Sequence, residues 1–206
     1  MPKGRFITLE GGEGAGKSTL LQSLAAALGT RGLEIVTTRE PGGSPGANEI
    51  RALLVSGDGA RWDGLEETLL LAAARASHLR HTIRPALARG AWVICDRYVD
   101  STRAYQSAAG GVSSDVVEQL TALIDAPAPD ATLILDLDPA QGLARSQGGG
   151  KGEDRFELRG LEFHQRVRTA FLAIANADPQ RCAVLDASKG PEAVCAAALN
   201  ELNARL

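Results

Sequence analysis

The chain has 206 residues, 44% of them hydrophobic and 23% charged, with a formal net charge of −3. This length suits one well-buried domain, and the charge excludes the broad basic footprint of a nucleic-acid binder. The opening MPKGRFITLE is too short an apolar run for a secretory signal or a spanning helix, and Cys95, Cys182 and Cys195 are scattered without a C-x-x-C pair, which fits a reducing cytoplasm and argues against zinc.

In chain order, a β-rich run at 5–10 (RFITLE) enters a glycine turn and a helix predicted over 16–28. The second strand, 34–38, leads to helical stretches over 47–56 and 65–89, the latter kinked or divided by Pro85. The third, 91–96 (AWVICD), precedes a helix over 113–125. Strand 131–137 precedes helices over 139–147 and 158–177, and strand 182–186 is followed by a helix over 190–205. Parallel neighbours need a connection of a dozen or more residues, so this alternation predicts one α/β domain with a parallel sheet and crossover helices. The tract SQGGGKG at 146–152 is too glycine-rich for helix and reads as a mobile loop. His78 and His81 share a helix face without a third ligand, and they are expected at the helix surface with no chemistry, as is His164. The cysteines read as buried thiols.

Gly11, Gly16, Lys17 and Ser18 fit G-x-x-x-x-G-K-[ST] between a strand and a helix. Glycines let backbone N–H groups converge on an anion, the helix N-terminus adds partial positive charge, Lys17 supplies a cation and Ser18 a hydroxyl for Mg²⁺. Thr19 is expected to cap or pack, and the ligand to be a nucleoside triphosphate with its metal. The absence of G-x-G-x-x-G in this turn counts against a dinucleotide. Asp96 and Arg97 end the third strand at the sheet edge where open α/β folds bind ligands; Asp96 suits Mg²⁺ through water and Arg97 suits phosphate. An ion pair with a neighbouring acid is the other reading of Arg97.

EGGEGAGKST, TREPGG (38–43), DRYVDSTRAYQ (96–106) and DRFE, in this order and spacing, closely resemble the bacterial thymidylate kinases over essentially the whole chain. The resemblance implies a three-layer P-loop NTPase fold with five parallel strands and a short lid at about 145–157, and a homodimer. It implies transfer of the γ-phosphoryl group of ATP to dTMP, for dTTP synthesis, with Mg²⁺. The ATP-binding set would be Gly11, Gly12, Glu13, Gly14, Ala15, Gly16, Lys17, Ser18 and Thr19. Glu13 would accept a hydrogen bond from the sugar 3′-hydroxyl. At ~7 Å and an effective dielectric of ~20 a carboxylate repels one phosphate charge by about 2 kcal/mol, so Glu13 fits this loop only if aimed elsewhere and offset by Lys17, Arg97 and Mg²⁺.

By the same resemblance Arg97 and Arg51 meet the acceptor phosphate or its surroundings, and Glu40 lies near the phosphates and metal, with a cis peptide at Glu40–Pro41. Arg75, Thr102 and Gln106 would address the thymine edge, and Tyr105 would pack beneath C2′ and exclude a ribose hydroxyl. Leu71 stands where the family commonly stacks an aromatic ring on the base, which forfeits ~0.5–1.5 kcal/mol of aromatic preference. The P-loop carries no arginine, so the cation that closes on the moving phosphoryl group is expected from the lid: Arg145, Lys151 or Arg155, with Lys151 and Arg155 favoured. Another nucleotide or nucleoside kinase, and a P-loop switch that binds nucleotide without acting on a second molecule, are the alternative readings.

Overall fold

A computed structural model describes residues 4–56, 61–147 and 159–206, with the side chain of residue 147 outside that set. Strands β1 (Arg5–Gly11), β2 (Ile35–Arg39), β3 (Trp92–Asp96), β4 (Ala131–Asp136) and β5 (Cys182–Asp186) form one parallel sheet in the order β2-β3-β1-β4-β5. Central β1 and β4 are buried almost throughout, which is why they read as near-continuous apolar runs.

Along β1, side chains alternate between the faces. Ile7 and Leu9 join Leu20, Leu24 and Leu28 of α1 (Lys17–Gly29) and Ala198 and Leu202 of α9 (Pro191–Arg205) in one core layer. Phe6 packs on the other face with Leu79, Ile83, Val93 and Tyr98. Further along the sheet Ile134 packs with Phe163, Val167 and Phe171 of α8 (Leu161–Ala177). Thr8 and Glu10 share the Phe6 face but are polar and fully buried, and the Thr8 hydroxyl meets that of Thr132 at 2.7 Å.

Helices α2 (Pro45–Val55) and α3 (Gly64–His78) pack together, and α3 opens with a capping box between Asp63 and Glu66. The long helical segment divides before Pro85: a wide turn over Leu79–Ile83 precedes α4 (Arg84–Ala88). Proline brings no N–H, so the regular ladder cannot continue through it, and the wider turn absorbs the interruption. Two elements between β3 and α6 (Ser114–Leu123) were not expected: a four-residue helix α5 (Val99–Thr102) and a second wide turn, Arg103–Ala108. Helix α7 (Pro139–Gln147) leads from β4 toward the region expected as the lid; residues 148–158 lie outside the described set.

Three expectations need correction. His78 is fully buried and His164 nearly so, because both project inward from their helices; only His81 is exposed. Thr19 neither caps nor packs, since Gly16 stands at the N-cap and Thr19 is exposed. Cys95 and Cys182 are buried, while Cys195 is only partly so.

Candidate functional site

The order β3-β1-β4 brings the carboxyl ends of β1 and β3 side by side, with Leu9 opposite Asp96. The turn after β1 therefore opens beside the Asp96–Arg97 step, and the Arg97 N–H donates to Leu9 O at 2.9 Å. Gly11 adopts φ 137°, and a Cβ there would lie 2.5 Å from Leu135 O, so glycine is required for the chain to leave the sheet. Gly14 packs against Gly142 of α7 so closely that a Cβ on Gly142 would sit 2.3 Å from Glu13 O.

Lys17 is buried, and its Nζ donates to Gly11 O at 3.2 Å and Gly12 O at 2.8 Å, which holds the ammonium over the loop. Burial, and after it the Arg97 charge, draws its pKa down. Ser18 Oγ donates to Asp96 Oδ2 at 3.0 Å, placing a hydroxyl and a carboxylate side by side at the loop mouth.

Arg97 sits at φ 70°, an uncommon conformation for a non-glycine residue. Its Nη1 donates to Gly11 O and Ser101 Oγ, each at 3.1 Å, and its Nη2 to Glu13 Oε1 at 2.8 Å and Tyr105 OH at 3.1 Å. Tyr105 OH in turn donates to Glu13 Oε1 at 2.9 Å. The Glu13 carboxylate thus points across the cleft toward Arg97 and Tyr105. Burial pushes its pKa up, but Arg97, then Lys17 and the Tyr105 bond, outweigh it and hold the group at about 2. Arg97 is ion-paired to a neighbouring acid, Glu13, and it also lines the cleft. Burial raises the Tyr105 pKa well above the usual phenol range.

Beneath Arg97 lies Glu10, fully buried, which accepts from Tyr98 N at 2.8 Å and Ser101 Oγ at 2.6 Å. Burial and the neighbouring Asp100 push its pKa to about 7, against the opposing pull of the Ser101 bond and Arg97. The sequence reading did not single out Glu10; the available signal was an acid near the end of a largely apolar strand.

On the far wall, Arg75 donates through Nε to Glu40 Oε2 at 2.7 Å and through Nη2 to Thr102 Oγ1 at 3.1 Å, all three being buried. His78 Nδ1 meets Glu40 Oε1 at 3.0 Å and its Nε2 meets Thr38 Oγ1 at 2.7 Å. Glu40 is therefore occupied with Arg75 and His78 rather than with the P-loop. The Glu40–Pro41 peptide is cis, and Arg51 Nη1 donates to Pro41 O at 2.7 Å.

These groups line one cleft of about 720 Å³, which brings the P-loop from Glu13 to Thr19 together with Glu40, Arg51, Leu71, Arg75, Asp96, Arg97, Thr102, Tyr105 and Gln106. Gly11 and Gly12 border a small cavity behind the loop instead. Arg145 also lines the cleft, its Nη1 donating to Ala187 O at 3.2 Å; Lys151 and Arg155 lie outside the described residues. One end of the cleft can hold a polyphosphate and the other a second, smaller anion with an apolar body.

A thymidylate kinase family model matches residues 9–198. The chain is 50% identical over 204 residues to a thymidylate kinase of Magnetococcus marinus, covering 98% of this chain and 97% of that one. It is 50% identical over 198 residues to one from Caulobacter vibrioides, covering 96% and 95%. Among solved structures, thymidylate kinase from Ehrlichia chaffeensis superposes with a TM-score of 0.80 at 33% identity, covering 98% of this chain and all of that one.

Proposed function

The chain belongs to the thymidylate kinase family, and we propose that it carries out that family's reaction, moving the γ-phosphoryl group of ATP to dTMP to give dTDP and ADP, across the cleft described above. The observation that carries this reading is the convergence of Lys17, Glu13, Arg97 and Arg75 on one cleft, since a switch protein needs no second anion site.

The acceptor phosphate is itself the nucleophile, so the protein's task is positioning and charge. The P-loop N–H groups and Lys17 hold the donor phosphates, and Arg97 draws the acceptor phosphate toward them. Glu13 has a second oxygen that accepts no hydrogen bond among the described residues, and it receives the sugar 3′-hydroxyl. Tyr105 closes the space beneath C2′, Leu71 covers the base, and Arg75 with Thr102 and Gln106 meets its edge.

Ser18 Oγ and Asp96 Oδ2, hard oxygen donors 3.0 Å apart, fit Mg²⁺, with Asp96 acting partly through water. Bound there, Mg²⁺ supplies positive charge against the donor phosphates. A lid cation, Lys151 or Arg155, completes the positive surround; Arg145 already faces the cleft.

We infer a homodimer from exposed Leu53, Leu65 and Leu69 on the packed pair α2 and α3, to be checked by light scattering. Among the described residues no helix is long and apolar enough to cross a membrane. Free cysteines and nucleotide substrates support a cytoplasmic location, which is part of this proposal. An acceptor panel in a coupled ADP-release assay tests the reaction. dTMP should be the preferred acceptor, and greater activity on unphosphorylated thymidine would refute it.

A further inference from the structure

Glu67 is only 1% exposed, lies on α3 two turns before Arg75, and takes no part in the chemistry proposed above. Its Oε2 accepts from Gln106 Nε2 at 3.2 Å, and its Oε1 lies 3.5 Å from Arg159 Nη2. A carboxylate beside an arginine accepts and does not donate, so it dictates which end of the neighbouring amide faces it. The Gln106 amino group turns to Glu67, leaving the Gln106 carbonyl oxygen as an acceptor with no partner among the described residues. Gln106 is 3% exposed and lines the cleft beside Leu71, Arg75 and Thr102.

We propose that Glu67 is a positioning residue for base selection: by fixing the Gln106 amide, it makes this end of the cleft accept a pyrimidine whose ring nitrogen carries a hydrogen and reject one whose ring nitrogen is a lone-pair acceptor. This rests on the kinase reading above. Arg75 brings only donors to the same wall. With the amide reversed, Gln106 would add two more donors, and an imide N–H would meet no acceptor from either side chain. A buried donor left without a partner is rejected strongly, which is how a polar site discriminates where an apolar one cannot.

The test compares kcat/KM for dTMP and dCMP in the wild type and in Glu67→Gln, with melting temperature and KM for ATP measured alongside. Glutamine keeps the volume but offers both a donor and an acceptor, so the Gln106 amide is free to turn. The dTMP-to-dCMP ratio should fall by about tenfold or more, mainly through KM for dTMP, with kcat and KM for ATP close to wild type. A folded variant with an unchanged ratio overturns the proposal. If Glu67→Gln fails to fold, Gln106→Leu carries the same comparison: it removes the oriented acceptor, so the ratio must fall, and an unchanged ratio is equally fatal. A wild type inactive on dTMP would instead remove the kinase reading, and this inference with it.

Discussion

Replacing Glu10 by Gln should flatten one stretch of the stability–pH profile. Burial and Asp100 raise the Glu10 pKa from an ordinary 4.5 to about 7. Between those values the folded protein keeps a proton that the unfolded chain has released, so stability falls as pH rises through this window and levels off above it. At about 1.4 kcal/mol per pH unit the loss comes to about 3 kcal/mol, a large part of a typical domain's stability. Glu13, held at about 2, works in the other direction, but its contribution is complete above the unfolded carboxylate range and vanishes only as pH falls toward 2. It therefore does not distort the comparison between pH 4.5 and pH 8. Gln keeps the oxygen that accepts from Tyr98 N and carries no titrating proton. Urea denaturation at four pH values should show the wild type losing about 3 kcal/mol relative to Glu10→Gln between the ends of the series. Parallel profiles would refute the argument that this carboxyl is held protonated beneath Arg97.

Lys17→Met should lower kcat by about 10²-fold or more while leaving the far-ultraviolet circular dichroism spectrum unchanged, because it removes a preorganised charge without touching the core layers. Arg75→Ala leaves buried Glu40 with His78 as its remaining partner, so unfolding experiments should show a loss of about 3–5 kcal/mol, and KM for dTMP should rise while KM for ATP does not. Gly142→Ala would ordinarily gain about 1 kcal/mol of helix propensity, but its Cβ would meet the Glu13 carbonyl at 2.3 Å. A net loss of stability with a raised KM for ATP is expected, and a more stable variant with unchanged ATP kinetics would contradict the packing argument.

The sheet was legible because β4 and the centre of β1 are buried on both faces and so print as apolar runs, while the helices between them repeat at a different period. Lys17 and Ser18 were legible because a phosphate loop is built from consecutive residues. The network beneath them was not. Glu10 finds Tyr98 and Ser101 about ninety positions away, and no local period encodes such a bond. The same holds for His78 with Glu40 and for Glu67 with Gln106, although Glu67, Arg75 and His78 fall on the buried side of α3 and spacing alone could have marked His78 as inward. The wide turn over Arg103–Ala108, which carries Tyr105 and Gln106, follows from neither propensity nor period.

The central claim is that donor and acceptor phosphates meet in one cleft between Lys17 and Arg97. Calorimetric titration of dTMP into protein saturated with a non-hydrolysable ATP analogue and Mg²⁺ tests it most directly. One dTMP should bind per chain with the analogue in place, and Arg97→Ala should weaken that binding. Displacement of one nucleotide by the other would mean a single shared site and would contradict the account.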